Sequence, residues 1–261
     1  MTIVNCCKTS NPFLNGGTCL LSSPNARKRF RCNCANGYTG ERCEHPIRSC
    51  RGYSNGRRVP GNYTVMSVYN KPFIVFCDFD RNSNMTWTLI QSYSLENNQL
   101  FRSLPFYIDS PQNWNNPSWL QYRLSNSRMQ FIQQDSKKWR LTCQYETDGV
   151  VYTDYVRLLN SKLDILTYRG VASGTCVQVE YINIRGYNCT NCTAIGWQMD
   201  GMIFHFDNFG GGNINVRCDF KLAEPVACGD QDHFGFYGCV NPKHRCSSSP
   251  QATTQTWFGG E

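Results

Sequence analysis

Cysteines carry most of the chemistry that this sequence could support, because the chain of 261 residues contains sixteen of them. Six fall between Cys6 and Cys43, a segment too short to bury a hydrophobic core of its own. Segments of this kind hold their shape through covalent cross-links. Zinc is a poor alternative, because Cys32-x-Cys34 lacks the usual spacer of about two to four residues. The cysteines therefore predict disulfides and an oxidising, extracellular compartment.

One cysteine pair, Cys189-Thr190-Asn191-Cys192, has the spacing of a redox site. A catalytic thiol needs a helix N-terminus or neighbouring cations to lower its pKa, and no helical pattern surrounds this pair. Its residues instead belong to two adjacent N-glycosylation sequons, at Asn188 and Asn191. We interpret the pair as part of the structural disulfides.

Other catalytic chemistry has little support in the sequence. The chain has four histidines, none in a His-Glu-x-x-His motif, and it has no Gly-x-Ser-x-Gly motif or phosphate-binding loop. Ca²⁺ usually requires carboxylate ligands, yet Met1-Thr2-Ile3-Val4-Asn5 before the first cysteine contains none. The sequence predicts no enzymatic activity, no catalytic or metal-binding residues and no cofactor.

The charge distribution indicates the class of partner. The net charge of +7 argues against an Asp-rich mineral template and favours weak attraction to polyanions such as sulfated glycans. The densest basic run contains Arg27, Lys28, Arg29 and Arg31, just before Cys32. For so short a run a solvated loop without a partner is the favoured interpretation, and polyanion binding is the alternative. No nucleic-acid-binding motif and no apolar stretch long enough to span a bilayer occurs.

The elements that must position these residues are mostly strands. Residues 139–145 and 177–181 alternate in polarity, and residues 202–206 are apolar and aromatic. A short helix is expected near residues 95–104. Sequons at Asn62 and Asn84, besides those at Asn188 and Asn191, predict exposed turns in a secreted chain. The pattern indicates a β-rich, α+β, mostly antiparallel fold.

Residues near the N-terminus resemble the EGF-like module. The resemblance rests on Asn15-Gly16-Gly17-Thr18-Cys19, on Cys32-x-Cys34 and on Gly37-Tyr38-Thr39-Gly40 leading to Cys43. It implies a Cys34–Cys43 disulfide. Phe13 stands where the family usually has a cysteine, so the Cys6-Cys7 doublet would supply the missing sulfur. Cys6–Cys19 with Cys7–Cys32 and the arrangement with Cys6 and Cys7 exchanged both remain open.

Residues 49–93 resemble the beginning of a fibrinogen C-terminal-like domain. The resemblance rests on Cys50, a Gly-Asn-Tyr-Thr turn into a strand, the apolar run that ends in Cys77-Asp78, and the strand around Trp87. It implies a Cys50–Cys77 disulfide. Beyond residue 93 the resemblance fades, and the family's Asp-rich calcium loop is not found, which puts its lectin activity in doubt.

These observations predict four segments: an EGF-like module at 1–44, a linker at 45–49, a fibrinogen-like β-rich domain at 50–246 and a polar, mobile tail at 247–261 that is truncated. A secreted chain needs a signal peptide, and Met1 is followed almost at once by cysteine. The sequence is therefore expected to be a fragment or to have a misassigned start.

The combination resembles extracellular matrix and adhesion proteins, and more specifically the skeletal organic matrix proteins of stony corals. The resemblance implies a secreted structural or adhesive protein that binds sulfated matrix glycans or acidic matrix proteins around a mineral. Two alternatives are a secreted fibrinogen-like lectin and an EGF-type receptor ligand, the latter because Gly40-Glu41-Arg42-Cys43 resembles the end of such growth factors.

Overall fold

Strands dominate the computed structural model, which describes residues 13–21, 30–56, 58–80, 83–170, 174–207, 217–221 and 234–261. The strands are β1 (Thr18–Leu21), β2 (Phe30–Asn33), β3 (Tyr38–Thr39), β4 (His45–Pro46), β5 (Gly61–Met66), β6 (Pro72–Asp80), β7 (Met85–Ser94), β8 (Gln121–Arg123), β9 (Lys138–Cys143), β10 (Tyr155–Leu159), β11 (Thr175–Ile184), β12 (Tyr187–Met199), β13 (Met202–Asp207) and β14 (Thr253–Gly260). They form an N-terminal EGF module and then an antiparallel β domain with several disulfides, as the sequence predicts.

The β domain is organised around one ten-stranded sheet. Its strand order is β13-β12-β11-β10-β9-β14-β7-β6-β5, with β8 paired to β7, and neighbouring strands are antiparallel. The strands predicted around residues 139–145, 177–181 and 202–206 are confirmed as β9, β11 and β13.

The C-terminal segment corrects the predicted tail at 247–261. Strand β14 lies in the middle of the sheet between β9 and β7, and all eight of its residues are buried. The prediction of a mobile tail was wrong. It rested on the polar composition of the segment, which is rich in threonine and glutamine. Those polar groups have buried partners: Thr254 donates to the Tyr237 hydroxyl at 2.9 Å, and Thr142 donates to Gln255 at 2.8 Å. A buried polar group whose hydrogen bonds are made is tolerated in a core.

Helices are short throughout the described part of the chain. They are α1 (Asn98–Phe101), α2 (Asn126–Gln133) and α3 (Tyr145–Asp148), with 3-10 turns at Cys50–Tyr53, Leu95–Asn97 and Arg245–Ser247. The helix expected near residues 95–104 is confirmed by the Leu95–Asn97 turn and α1. The eight-residue α2 was not predicted, because it buries only Met129 and Ile132 and so has no long apolar stripe.

The EGF module joins the sheet through the segment predicted as a linker. Ile47 is buried, donates its N–H to the Gly37 carbonyl at 2.8 Å and accepts from the Met66 N–H at 2.7 Å. Gly37 has a φ of 89°, and a Cβ there would lie 2.7 Å from the Met66 sulfur, so the joint requires glycine. Tyr53 accepts from the Gly37 N–H at 3.2 Å and adds a further contact across the joint.

Candidate functional site

The EGF cysteines form a cluster around Cys43, whose sulfur lies against those of both Cys34 and Cys32. One sulfur forms one disulfide, so these two pairings exclude each other. The Cα atoms of Cys34 and Cys43 are 5.3 Å apart, in the middle of the range for disulfides, whereas those of Cys32 and Cys43 are 6.8 Å apart, at its limit. This geometry favours Cys34–Cys43. Cys19 is also disulfide-bonded, while Cys6 and Cys7 lie outside the described residues.

The β domain carries further disulfides. The structure joins Cys50 to Cys77, Cys143 to Cys246, Cys176 to Cys218 and Cys189 to Cys192. Cys189 and Cys192 both lie on strand β12, and neither is at the N-terminus of a helix in the described residues, where a thiolate would be stabilised. His244 forms a possible metal-ligand set with Cys143 and Cys246, but both sulfurs are oxidised and a thiolate is the form that binds metal.

The four sequons lie at exposed positions. Asn62 is on β5, Asn84 is at the turn between β6 and β7, and Asn188 and Asn191 are on β12. Asn84 and Asn191 have φ values of 56° and 50°, a conformation that asparagine tolerates better than most residues.

The basic run falls almost wholly outside the described residues. Arg27, Lys28 and Arg29 belong to the segment 22–29, and only the backbone of Arg31 is described. That backbone pairs with Leu20 of β1, so Arg31 lies on strand β2.

A basic cavity of about 550 Å³ lies where three distant segments meet. Its lining residues are Thr153, Asp154, Arg185, Gly186, Tyr187, Lys243 and Arg245. Asp154 is fully buried and ties the segments together, because its carboxylate accepts from the backbone N–H of Arg185 at 2.7 Å and of Arg245 at 2.9 Å. Three cationic side chains and one carboxylate thus line the same cavity.

Arg245 lines this cavity, and its side chain also makes hydrogen bonds that stabilise the cavity wall. Its guanidinium donates to the Thr153 carbonyl at 2.9 Å and to the Asp148 carboxylate. The hydrogen bond from Arg245 is the main reason that the pKa of Asp148 lies below its usual range. Lys243 is exposed at the rim, where it can meet a ligand.

A second cleft has a volume of about 410 Å³. It is lined by Tyr152, Arg157, Glu180, Tyr181 and Thr190. Arg157, Tyr181 and Thr190 are paired across the adjacent strands β10, β11 and β12, which brings their side chains together. The sequence predicted the strands but neither cavity, because the lining residues are far apart in the chain.

No helix in the part of the chain that the structure describes is long and apolar enough to cross a lipid bilayer.

Comparison with known proteins identifies one family. Residues 7–42 match the model of the EGF-like domain, which confirms the predicted module. The chain is 40% identical over 47 residues to Protein jagged-1b of Danio rerio, which covers 18% of the chain and 4% of that protein. It is 37% identical over 68 residues to Contactin-associated protein 1 of Homo sapiens, which covers 24% of the chain and 5% of that protein. The chain thus spans a small fraction of the length of these relatives.

Among solved structures, the chain is similar to a lamprey fibrin D-dimer complexed with the peptide ligand Gly-His-Arg-Pro-amide. The identity is 16% and the TM-score 0.30, over 77% of this chain and 52% of that one, and similarity at this level supports no argument about function. The EGF-like match and the disulfides together indicate an extracellular protein.

Proposed function

We propose that this chain is a secreted structural or adhesive protein that binds sulfated glycans or acidic proteins of an extracellular matrix, and that it has no catalytic activity. The observation that carries the proposal is the basic cavity, in which Arg185, Lys243 and Arg245 converge from separate segments. The chain's net charge of +7 acts in the same direction, because a positive surface attracts polyanions over distances of about a Debye length.

The resemblance to skeletal organic matrix proteins of stony corals extends this proposal to a matrix that surrounds a carbonate mineral. A basic protein is suited to binding the acidic glycans and proteins of such a matrix, not to nucleating mineral itself. Proteomics of demineralised skeleton and of soft tissue from the source animal tests this extension. Enrichment in the skeletal fraction supports it, and recovery from soft tissue alone contradicts it.

A secreted protein should carry disulfides and N-linked glycans. We propose N-glycans at Asn62 and Asn84 and a Cys34–Cys43 disulfide, with Cys6 and Cys7 sharing Cys19 and Cys32. Peptide mapping without reduction, before and after glycosidase treatment, tests both. Free thiols at Cys34 and Cys43 would contradict the module's pairing.

The binding proposal is tested on an immobilised sulfated polysaccharide. The variants to compare are Lys243→Gln, the quadruple Arg27→Gln/Lys28→Gln/Arg29→Gln/Arg31→Gln, and a control quadruple that neutralises exposed lysines elsewhere. The control residues are Lys71, Lys137, Lys162 and Lys221.

We expect Lys243→Gln and the basic-run quadruple to elute at lower salt than wild type. The control quadruple removes as much charge as the basic-run quadruple and should elute later than it. Equal elution of the two quadruples would show that net charge alone is recognised, and absence of retention of the wild type would refute the proposal.

A further inference from the structure

The cleft beside the basic cavity has walls of a different chemical character. Tyr152 is 47% exposed and forms one wall, with its ring 6.3 Å from that of Tyr181 and 5.0 Å from that of Tyr155. The Tyr181 hydroxyl donates to the Tyr152 carbonyl at 3.3 Å and accepts from Asn183 at 3.2 Å. These hydrogen bonds hold the Tyr181 ring in place before any ligand arrives, which lowers the entropic penalty of binding.

The polar part of the cleft is a shared ion pair. Glu180 accepts from the Arg157 Nε–H at 3.0 Å and from the Lys138 ammonium at 2.8 Å. Glu180 thereby fixes the plane of the guanidinium through its Nε–H, and the Arg157 side chain also hydrogen-bonds to the Tyr155 hydroxyl. Lys138 and Arg157 are cations and Glu180 is an anion, so the group carries a net charge of +1.

An irregularity in strand β11 builds this arrangement. Neighbouring residues of a regular strand point to opposite faces, yet Glu180 and Tyr181 both line the cleft. The alternation of buried and exposed side chains along β11 shifts by one residue at Glu180 and Tyr181. The buried residues are Val177 and Val179 before this point, and Ile182 and Ile184 after it. Asn191, on the facing strand β12, has a φ of 50°. A local distortion of this kind re-aims side chains towards a functional surface.

We infer that this cleft binds a single acidic sugar residue, a uronic acid or a sulfated hexose, of the glycan that the protein holds. The inference rests on the proposed function and assigns to it a shape-selective subsite. Arg157 presents a planar fork suited to a carboxylate or sulfate, and the Tyr152 ring offers a flat apolar surface to a pyranose face. The volume of about 410 Å³ lies within the usual range for small-ligand sites.

The protein's own glycan is the competing occupant. Thr190 lines the cleft and completes the sequon at Asn188, which is two residues away on the same strand and therefore on the same face. Thr190 is consequently left unchanged in the tests, and every variant also carries Asn188→Gln, so that no sugar attached at Asn188 can fill the cleft.

The experiment titrates the full chain with a size-defined heparin tetrasaccharide by calorimetry at physiological salt. Maltotetraose serves as a sugar without charge and tripolyphosphate as a charge without sugar. Tyr152→Ala is compared with Tyr152→Phe, which keeps the ring, and with Tyr69→Ala, which truncates an 82% exposed tyrosine elsewhere. Arg157→Lys is compared with Lys138→Gln, which alters the same ion pair at a residue outside the cleft lining.

We expect Tyr152→Ala and Arg157→Lys each to weaken tetrasaccharide binding by about fivefold or more, because one loses the stacking surface and the other the bidentate fork. Tyr152→Phe, Tyr69→Ala and Lys138→Gln should stay within about twofold of the parent. Tripolyphosphate binding should not change in Tyr152→Ala.

Equal tetrasaccharide affinity of Tyr152→Ala and Tyr69→Ala would overturn the assignment of the cleft. If the wild-type chain is still retained on the sulfated resin in that case, the proposed function stands and only the subsite fails. If the wild type binds neither resin nor tetrasaccharide, both are refuted.

Discussion

Arg140 and Asp78 form a buried ion pair that connects two strands on opposite sides of the C-terminal strand. The Arg140 Nη2 lies 2.6 Å from Asp78 Oδ2, and the two side chains are 1% and 6% exposed. Arg140 is on β9 and Asp78 is on β6, with β14 and β7 between them. The guanidinium carbon lies 4.5 Å and 4.8 Å from the ring centroids of Trp87 and Trp257, so the cation is enclosed by aromatic faces.

Removing one member of this pair should destabilise the fold strongly. Asp78→Ala leaves Arg140 as a buried cation without its partner and removes the acceptor of the Tyr145 hydroxyl, which donates to Asp78 at 2.6 Å. We expect a loss of about 3–5 kcal/mol in the free energy of unfolding, measured by urea denaturation with the disulfides intact.

The control for Asp78→Ala is Asp200→Ala, which breaks the exposed pair with Arg169, 3.4 Å apart and with side chains 64% and 83% exposed. This substitution should change the free energy of unfolding by less than about 1 kcal/mol. Similar losses for the two variants would contradict the structural role assigned to the buried pair.

Arg123 holds the loop that follows α1 to the sheet. Its guanidinium is fully buried and donates to Gln91 at 2.6 Å and to the carbonyls of Pro105 and Ile108 at 2.9 and 3.0 Å. Burial lowers its pKa to about 10. Arg123→Lys keeps the charge but cannot reach these acceptors together, so we expect a loss of about 2 kcal/mol or more in unfolding free energy. Arg169→Lys at the exposed pair should change little, and equal effects would refute this role.

The strands were predictable from local patterns, whereas the centre of the sheet was not. Alternating apolar residues identify β9 and β11, because one side of each is polar enough to show the period of two. Strand β14 contains Thr253, Thr254, Gln255 and Thr256, all buried. Such a segment looks like a polar tail in sequence, since its hydrogen-bond partners come from residues more than a hundred positions away, such as Thr142 and Glu146.

The cavities escaped prediction for a related reason. Lys243 and Arg185 give no motif, because they lie in separate segments. These segments meet where Asp154 accepts hydrogen bonds from the backbone N–H groups of Arg185 and Arg245. The EGF module, by contrast, is encoded within 38 consecutive residues from Cys6 to Cys43, and local spacing was enough to identify it.

Disulfides of different span should contribute unequally to stability. Cys143 and Cys246 are 103 residues apart, and Cys189 and Cys192 only 3. The chain-entropy estimate for the longer loop is about 4–5 kcal/mol, and for the shorter one about 2 kcal/mol. We expect the double alanine variant of the first pair to lose the larger amount of unfolding free energy. The reverse order would show that strain or residual structure outweighs loop closure.

Acid should weaken the ion pair between Asp148 and Arg245 at the wall of the basic cavity. The pKa of Asp148 is lowered from its ordinary 3.8, mainly by the hydrogen bond from Arg245, so the folded state favours the carboxylate. This contribution is present above pH 3.8 and is lost as the pH falls through the lower folded-state pKa. Asp148→Asn should therefore show a flatter dependence of unfolding free energy on pH below that value.

The difference between wild type and Asp148→Asn should shrink at about 1 M salt, because an exposed pair is screened. Identical acid profiles at low salt would contradict the role of this carboxylate.

Polyanion binding is the central claim, and its salt dependence tests it most directly. The association constant of the wild-type chain for chondroitin sulfate is measured by titration at several salt concentrations and constant pH, with neutral dextran as the control polymer. Cations that replace counterions on a polyanion make the logarithm of the association constant fall linearly with that of salt concentration. We predict such a line, with a slope that corresponds to several ionic contacts and becomes shallower in Lys243→Gln. Absence of binding at low salt, or an affinity that does not change with salt, would contradict the account.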